Sequence, residues 1–424
     1  MAHDPSLSTS SATATQPHGA QLRPRGSNHV GMRQYNERVV LQAIRLHGEL
    51  PKAELARLTH LSTQTVSLIV NKLLDDRLLL KREPLRGRIG QPSVPIALDP
   101  DGAYSVGVKV GRRSADVILI DFVGQVRRRW TLDYRYPEPD QLVGLIAASL
   151  AELHAQLSPA QFERIEGIGI AIPFSLGGWQ TLLDMPPDVA ERWPRTDLVA
   201  ELAPVTELPV MLIKDTAAAC VAELVAGRGR SMQNFLYLFF DTFVGGGLVI
   251  DSHLHGGARG NAGAIGSMPL HSIGSFGTAG LPPQVLSAAS LINLQRLYEA
   301  AGLDPEAAVD DRALEPPWAA HTRIWLKQAA QAMAFVIANA TCLLDLQDAV
   351  IDGVFSRNLL SRLIAHIEDA LDEHSWEGVT RPSVRAGTIG SDARAMGGAL
   401  LPLYAGFAPD PEVFLKSQPS ATGI

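Results

Sequence analysis

Five short polar side chains, Ser62, Thr63, Gln64, Thr65 and Ser67, crowd the leading end of a segment that is otherwise periodically apolar. Hydroxyl and amide groups in that setting exchange hydrogen bonds with base edges in a major groove, and they carry no charge to desolvate. Further along, RGRIGQP presents Arg86, Arg88 and Gln91 around Gly87 and Gly90. Arginine flanked by glycine can lie in a narrow minor groove, where the negative potential is strongest and a Cβ would obstruct. The chemistry these residues predict is recognition of a double-stranded DNA operator.

Such side chains read DNA only if rigid elements hold them. Residues 51–80 supply two helices and a tight turn: Leu55, Ala56 and Leu58 give the first an apolar face, and Ser62 is placed to N-cap the second. In the second, Val66, Ile69, Val70, Leu73 and Leu74 recur at helical spacing. Upstream, residues 36–50 predict a third helix with Val39, Val40, Ala43, Ile44 and Leu46 as its stripe, so three helices can share one core. Downstream, residues 78–98 read as strand, basic turn, strand, which makes RGRIGQP the tip of a wing. Residues 1–100 hold 13 Lys+Arg against 8 Asp+Glu, and the remainder 24 against 36. A surplus of five positive charges is modest, so phosphate contacts position the module and affinity requires two copies on one site. A homodimer or a dimer of dimers is expected.

At 424 residues, 46% hydrophobic and 19% charged, the composition fits two or three domains with a sizeable core. No apolar run approaches the roughly 20 residues a spanning helix needs, so no membrane partner and a cytoplasmic location are expected. Residues 1–30 are polar and Ser/Thr-rich, the composition of a disordered tail. Cys220 and Cys342 each sit in an apolar helical pattern, which predicts buried thiols in a reducing compartment rather than a disulfide or a zinc site.

From Tyr104 the pattern changes to strands followed by helices, and one plan occurs twice. Residues 104–134 and 234–257 each offer an apolar strand, a turn, a second apolar strand ending in Asp121 or Asp251, and a short third strand. The first is followed by a predicted helix (140–157) and a strand (165–174). Two α/β lobes opened by a repeated β-meander follow, with a cleft between them as the natural ligand site.

Taken together, GSNHVGMRQYNERVVLQAI, RGRIGQP, EGIGIAIPF, LPVMLIKDTAAACVAELVAGRGR, VGGGLVIDSHLHGGARGNAGAIGSMPL and GTIGSDARAMGGALL resemble, in order and spacing, the repressor branch of the ROK family of repressors and sugar kinases. The resemblance covers roughly residues 26–405. It implies a winged helix-turn-helix followed by the two-lobed actin-like ATPase fold, an α/β architecture. The expected boundaries are a tail at 1–30, the winged module at 31–99, a first lobe at 100–225, a second at 226–405, and a C-terminal tail at 406–424.

The resemblance also shows where this chain departs from the family's kinases. Their Asp-x-Gly-Gly-Thr phosphate turn aligns with Lys109 to Arg113, and their second phosphate loop with DTFVGGG, where Asp241 would repel a nucleotide and Phe243 crowd it. Gly245, Gly246 and Gly247 remain, and the adenosine-side glycines are thinned to IDGVFS. The family's Asn-Asp pair becomes Lys214 and Asp215, leaving Asp215 as a vestigial general base that Lys214 can pair with. Two sugar-contacting positions become Ala264 and Ser267, and the zinc cysteines are absent around His271, which reads as a surface residue. No cofactor and no metal are expected. Asp215 can hydrogen-bond an effector or N-cap the helix that follows it, and Trp193 can stack on a ligand or fill the core.

These expectations describe a DNA-binding transcriptional regulator, with repression the expected direction of control, whose inactive kinase-like body senses a small sugar-like effector through Lys214, Asp215, Trp193, Ala264 and Ser267. Two alternatives stand beside it: a sugar kinase carrying a DNA-binding module, and a regulator controlled by a protein partner.

Overall fold

A computed structural model of the chain describes residues 29–84, 94–177, 185–270 and 283–409. Helix α1 (His29–His47) starts seven residues before the helix predicted from residue 36, and its early Met32 and Tyr35 stay exposed. It also stops short of Leu50. Gly48, at φ +80°, adopts the left-handed conformation that ends helices, and its N–H caps the Ile44 carbonyl. Leu50 instead joins strand β1 (Leu50–Pro51).

Helices α2 (Lys52–Thr59) and α3 (Thr63–Asp75) form the expected pair. His60, at φ 54°, turns the chain, and the Ser62 hydroxyl accepts the Thr65 N–H at 3.1 Å. That cap is worth about 1 kcal/mol. Val40, Ile44, Leu55, Val66, Val70 and Leu73 close the three-helix core. Strands β2 (Leu79–Lys81) and β3 (Pro95–Leu98) complete a small sheet in the order β1-β3-β2. Arg86, Arg88 and Gln91 lie outside the described residues.

The first lobe carries β4 (Tyr104–Val110), β5 (Ser114–Asp121), β6 (Val126–Asp133), helix α4 (Pro139–Gln156), β7 (Ile165–Ile172) and β8 (Val210–Lys214). Helix α5 (Asp215–Val225) leads to the second lobe: β9 (Phe235–Phe240), β10 (Gly245–Ile250), β11 (His253–Leu254), α6 (Leu291–Ala300), α7 (Ala319–Leu344), β12 (Asp348–Gly353), α8 (Arg357–Asp372) and β13 (Ser383–Ala386). The expected duplication extends to whole sheets. Their orders are β6-β5-β4-β7-β8 and β11-β10-β9-β12-β13, each an antiparallel meander continued by two parallel strands.

Helix α9 (Ala393–Phe407) departs from the expected lobe boundaries. Although all but its last two residues fall inside 226–405, it packs on β4 and β7 of the first sheet and on α5. Glycines make this possible. A Cβ on Gly397 would strike the Ala218 carbonyl of α5, and one on Gly169 of β7 would strike the Gly398 carbonyl. Backbone therefore rests on backbone at these glycines.

Named contacts tie the winged module to this body. The Arg45 guanidinium donates to the Phe122 carbonyl at 2.8 Å and lies over the Phe122 ring at 4.8 Å. Arg230, just after α5, donates to the last-turn carbonyls of α1, Leu46 at 2.6 Å and Arg45 at 3.2 Å. Those carbonyls have no intrahelical partner, so Arg230 is a C-cap supplied by the body. The apolar core is continuous across the junction, running from Val40 and Ile96 through Phe122 to Tyr404 and Ala408.

Candidate effector cleft and DNA-reading helix

The equivalent hairpin turns of the two meanders meet across the cleft. Gly111 to Arg113 connect β4 to β5, and Asp241 to Val244 connect β9 to β10. The Arg112 guanidinium carbon sits 4.3 Å from the Phe243 ring centre, a cation–π contact between the lobes. Cavities open on either side of this contact. One, of about 730 Å³, is lined by Lys109, Arg113, Asp241, Thr242 and Arg394; the other, of about 150 Å³, by Arg112, Phe243, Lys214, Asp215 and Ser267. They share no lining residue, and consecutive residues of both turns face opposite ways.

On the larger side the charges neutralise one another. Lys109 is a cross-strand neighbour of Asp116 in the β4–β5 register and pairs with it at 2.9 Å. Burial pushes Asp116 upward, but Lys109 outweighs it and holds the carboxyl below its ordinary value. Arg129 pairs with Asp392 at 2.6 Å. Arg394, only 3% exposed, pairs with Asp241 at 2.5 Å and lies 4.0 Å from Asp215. Asp241, expected to repel a nucleotide, is here the partner of a buried arginine. The lining holds six carboxylates (Asp116, Asp133, Asp241, Glu299, Glu306, Asp392) against four cations (Lys109, Arg113, Arg129, Arg394).

On the smaller side, Lys214, Asp215, Ala264 and Ser267 come together as expected. Their pairing differs. Lys214 is the residue at the N-cap position of α5, and Asp215 is the first helical residue, whose carboxylate accepts the Thr216 N–H at 2.7 Å. Lys214 turns away from Asp215 and donates to the Ala262 carbonyl at 3.0 Å. Burial lowers its pKa to about 8 against the opposing pull of Asp215. Trp193 stays apart: it is buried, its indole N–H donates to the Pro137 carbonyl at 3.0 Å, and it faces an adjoining cavity of about 510 Å³. The retained glycines Gly245, Gly246 and Gly247 are strand residues of β10, and a Cβ on Gly245 or Gly247 would strike α5 at Thr216 or Cys220. Packing of α5 on β10 is what they permit.

Sequence reasoning missed Arg112, Asn261 and Ser175 as members of this lining. Arg112 registered only as an obstacle to phosphate, and nothing local signals that it meets Phe243. Cys342 also differs from expectation, being exposed where a buried thiol was predicted, while Cys220 is buried as predicted. His271 lies outside the described residues.

On α3, Ser62, Thr63 and Gln64 are exposed, and Thr65 and Ser67 are half-buried. The Ser62 and Thr65 hydroxyls are 2.8 Å apart and engaged in the cap, so Thr63 and Gln64 carry the freest polar groups at the leading end. Leu68, 65% exposed one turn beyond Gln64, extends the same face and was not expected there.

The sequence profile of the ROK family matches residues 105–404. The chain belongs to the ROK family. Among ROK relatives, it is 26% identical to the xylose repressor of Bacillus subtilis over 243 residues, 56% of this chain and 61% of that one. A transcriptional regulator of Mycobacterium tuberculosis is 29% identical over 271 residues, 62% of this chain and 60% of that protein. The chain thus spans about three fifths of the length of each of these two. A solved ROK transcriptional regulator, a homologue of the Escherichia coli MLC protein, superposes with a TM-score of 0.65 at 22% identity, covering 89% of this chain and 98% of that one. A ROK glucokinase from Streptomyces griseus, solved with glucose and AMPPNP, gives 0.54 at 18% identity over 70% of this chain and 99% of its own. The fold is therefore that of ROK regulators and sugar kinases, a two-lobed actin-like ATPase body behind a winged helix-turn-helix. No helix among the described residues is long and apolar enough to cross a membrane.

Proposed function

We propose that this ROK protein is a cytoplasmic, homodimeric DNA-binding transcriptional regulator, a repressor, whose body binds a small polyhydroxylated effector without phosphorylating it. The observation that carries the reading is the Arg112–Phe243 contact between the two turns that would flank a transferring phosphoryl group. A phosphoryl donor on one side and an acceptor on the other need an open path with reacting atoms about 3–3.5 Å apart. Here the two cavities share no lining residue, and the larger carries two more carboxylates than cations, an unfavourable setting for a polyphosphate. Named relatives that are regulators support the same reading. Thr63, Gln64 and Leu68 would face the major groove, Leu68 against a thymine methyl, with Ser67 nearby and Arg86, Arg88 and Gln91 in the flanking minor groove.

Coupling runs through two elements. Helix α9 begins at the cleft with Arg394 and ends beside α1 with Tyr404, whose ring lies 5.9 Å from the Arg45 guanidinium. Arg230 joins the second lobe to the end of α1. An effector that changes the lobe angle would change how two winged modules are held, and half-sites one helical turn apart, about 34 Å, tolerate little change.

A second reading, a sugar kinase with an attached DNA-binding module, is favoured by Asp215, a buried carboxylate at the floor of the smaller cavity. One experiment separates them. The full chain is used to select genomic fragments, the bound DNA is challenged with a panel of sugars, and ATP turnover is followed on the same panel. Selective DNA capture released by a sugar, with no turnover, is expected; phosphorylation of any panel member would sink the regulator-only reading.

A further inference from the structure

Among the described residues, the lining of the smaller cavity carries one more positive charge than negative. Its lining holds two cations, Arg112 and Lys214, against one carboxylate, Asp215, and behind them Arg394 and Asp241 face the larger cavity. Asp241 is taken by Arg394, and the Asp215 carboxylate is shared between the Thr216 N–H and Arg394. Lys214 donates to the carbonyl oxygens of Ala262 and Gly246, at 3.0 and 3.5 Å, which satisfy protons but cancel no charge. Arg112 makes no hydrogen bond to any described residue, and its Nε is buried without an acceptor. Its contact with Phe243 orients the guanidinium face and leaves the N–H edge unused.

A buried donor without a partner costs about 1–3 kcal/mol, more when the group is charged. Such a cost persists where a ligand removes it. A guanidinium edge fits a carboxylate in bidentate fashion, and one surplus charge matches a monoanion. A dianionic phosphate would invert the surplus in a half-enclosed site. Around the two cations, Asn261, Ser175 and Ser267 supply an amide and hydroxyls suited to a polyol. Ser175 also lines the adjoining cavity of about 510 Å³, where the rest of a larger ligand can extend.

We infer that the effector is a sugar acid, a polyol bearing one carboxylate, with the carboxylate held between Arg112 and Lys214. This rests on the effector-sensing reading above. The test titrates the full-length chain calorimetrically with D-glucuronate, D-gluconate and D-xylonate, each beside its neutral parent sugar and the corresponding sugar phosphate. At least one acid should bind tenfold or more tightly than both counterparts, and Arg112→Gln should abolish that preference. The comparison on the unmodified chain stands even if the variant fails to fold. A neutral sugar or a phosphate that binds as well as its acid, or no binding by any acid, overturns the inference. DNA capture by the same preparation keeps the two ideas apart. A neutral sugar releasing DNA overturns the sugar-acid inference and leaves the regulator standing, whereas acid binding without any DNA capture supports the inference and removes the regulator.

Discussion

Arg230 offers the sharpest test of how the winged module is held. It donates to the Leu46 carbonyl at 2.6 Å and the Arg45 carbonyl at 3.2 Å, both in the last turn of α1. A hydrogen bond to a charged group contributes about 1.5–3 kcal/mol; because Arg230 is half-buried and the second bond is long, about 2 kcal/mol is reasonable for the pair. Arg230→Ala should therefore lower the free energy of opening of the winged module by about 2 kcal/mol, roughly thirty-fold in its opening constant. Native-state hydrogen exchange reads this directly, as a thirty-fold loss of protection in α1, α2 and α3 with α7 unchanged. Arg230→Lys, which keeps one donor in reach, should lose about half as much free energy. Protection in α1 altered by less than threefold, or an equal loss in α7, would refute the idea that Arg230 is a cap supplied by the body.

Three further outcomes follow from the cleft and the packing beneath it. Asp241→Ala leaves Arg394, 3% exposed, with only Asp215 at 4.0 Å; a loss of about 3–5 kcal/mol in chemical denaturation is expected, and less than about 1 kcal/mol would show that the pair is not a coupled unit. Gly397→Ala drives a Cβ into the Ala218 carbonyl and should cost at least about 1–3 kcal/mol, while Gly256→Ala, with open space around it, should leave the melting temperature unchanged. The Lys214 pKa of about 8 lies below its ordinary value, so the unfolded chain binds more protons between about pH 8 and 10.5 and stability should gain from this group as pH rises through that window. Affinity for a sugar acid should run the other way, constant below about pH 7 and falling above pH 8 as the ammonium is lost; a flat titration to pH 9 would exclude Lys214 from the site.

The sequence made the local elements legible because their signals are local. Ser62 announced its helix through a hydroxyl and a periodic stripe, and both meanders announced themselves through alternating strands and turn residues. The start of α1 carries no stripe because Met32 and Tyr35 are exposed, and its end is set by the backbone of Gly48. Long-range partners were the other blind spot. Adjacency suggested that Lys214 pairs with Asp215, yet the strand end aims the lysine at Ala262 and the return of α9 brings Arg394 to the carboxylate instead. Arg112 and Phe243 sit in different lobes, and only the shared sheet topology brings their turns face to face.

Helix α9 has a consequence for how such a protein can change its diet. At Gly169, Gly397 and Gly398 no side chain stands between the helix and its neighbours, so sliding along the sheet would break backbone contact there. If the second lobe moves as proposed, the first lobe, α9 and the end of α1 would move as one block, with Arg230 as the link between that block and the second lobe. Such a coupling would transmit an angle, not the identity of the molecule that set it. On the proposed reading, ligand chemistry in the cleft could be exchanged, residue by residue, while the DNA-binding module is left untouched.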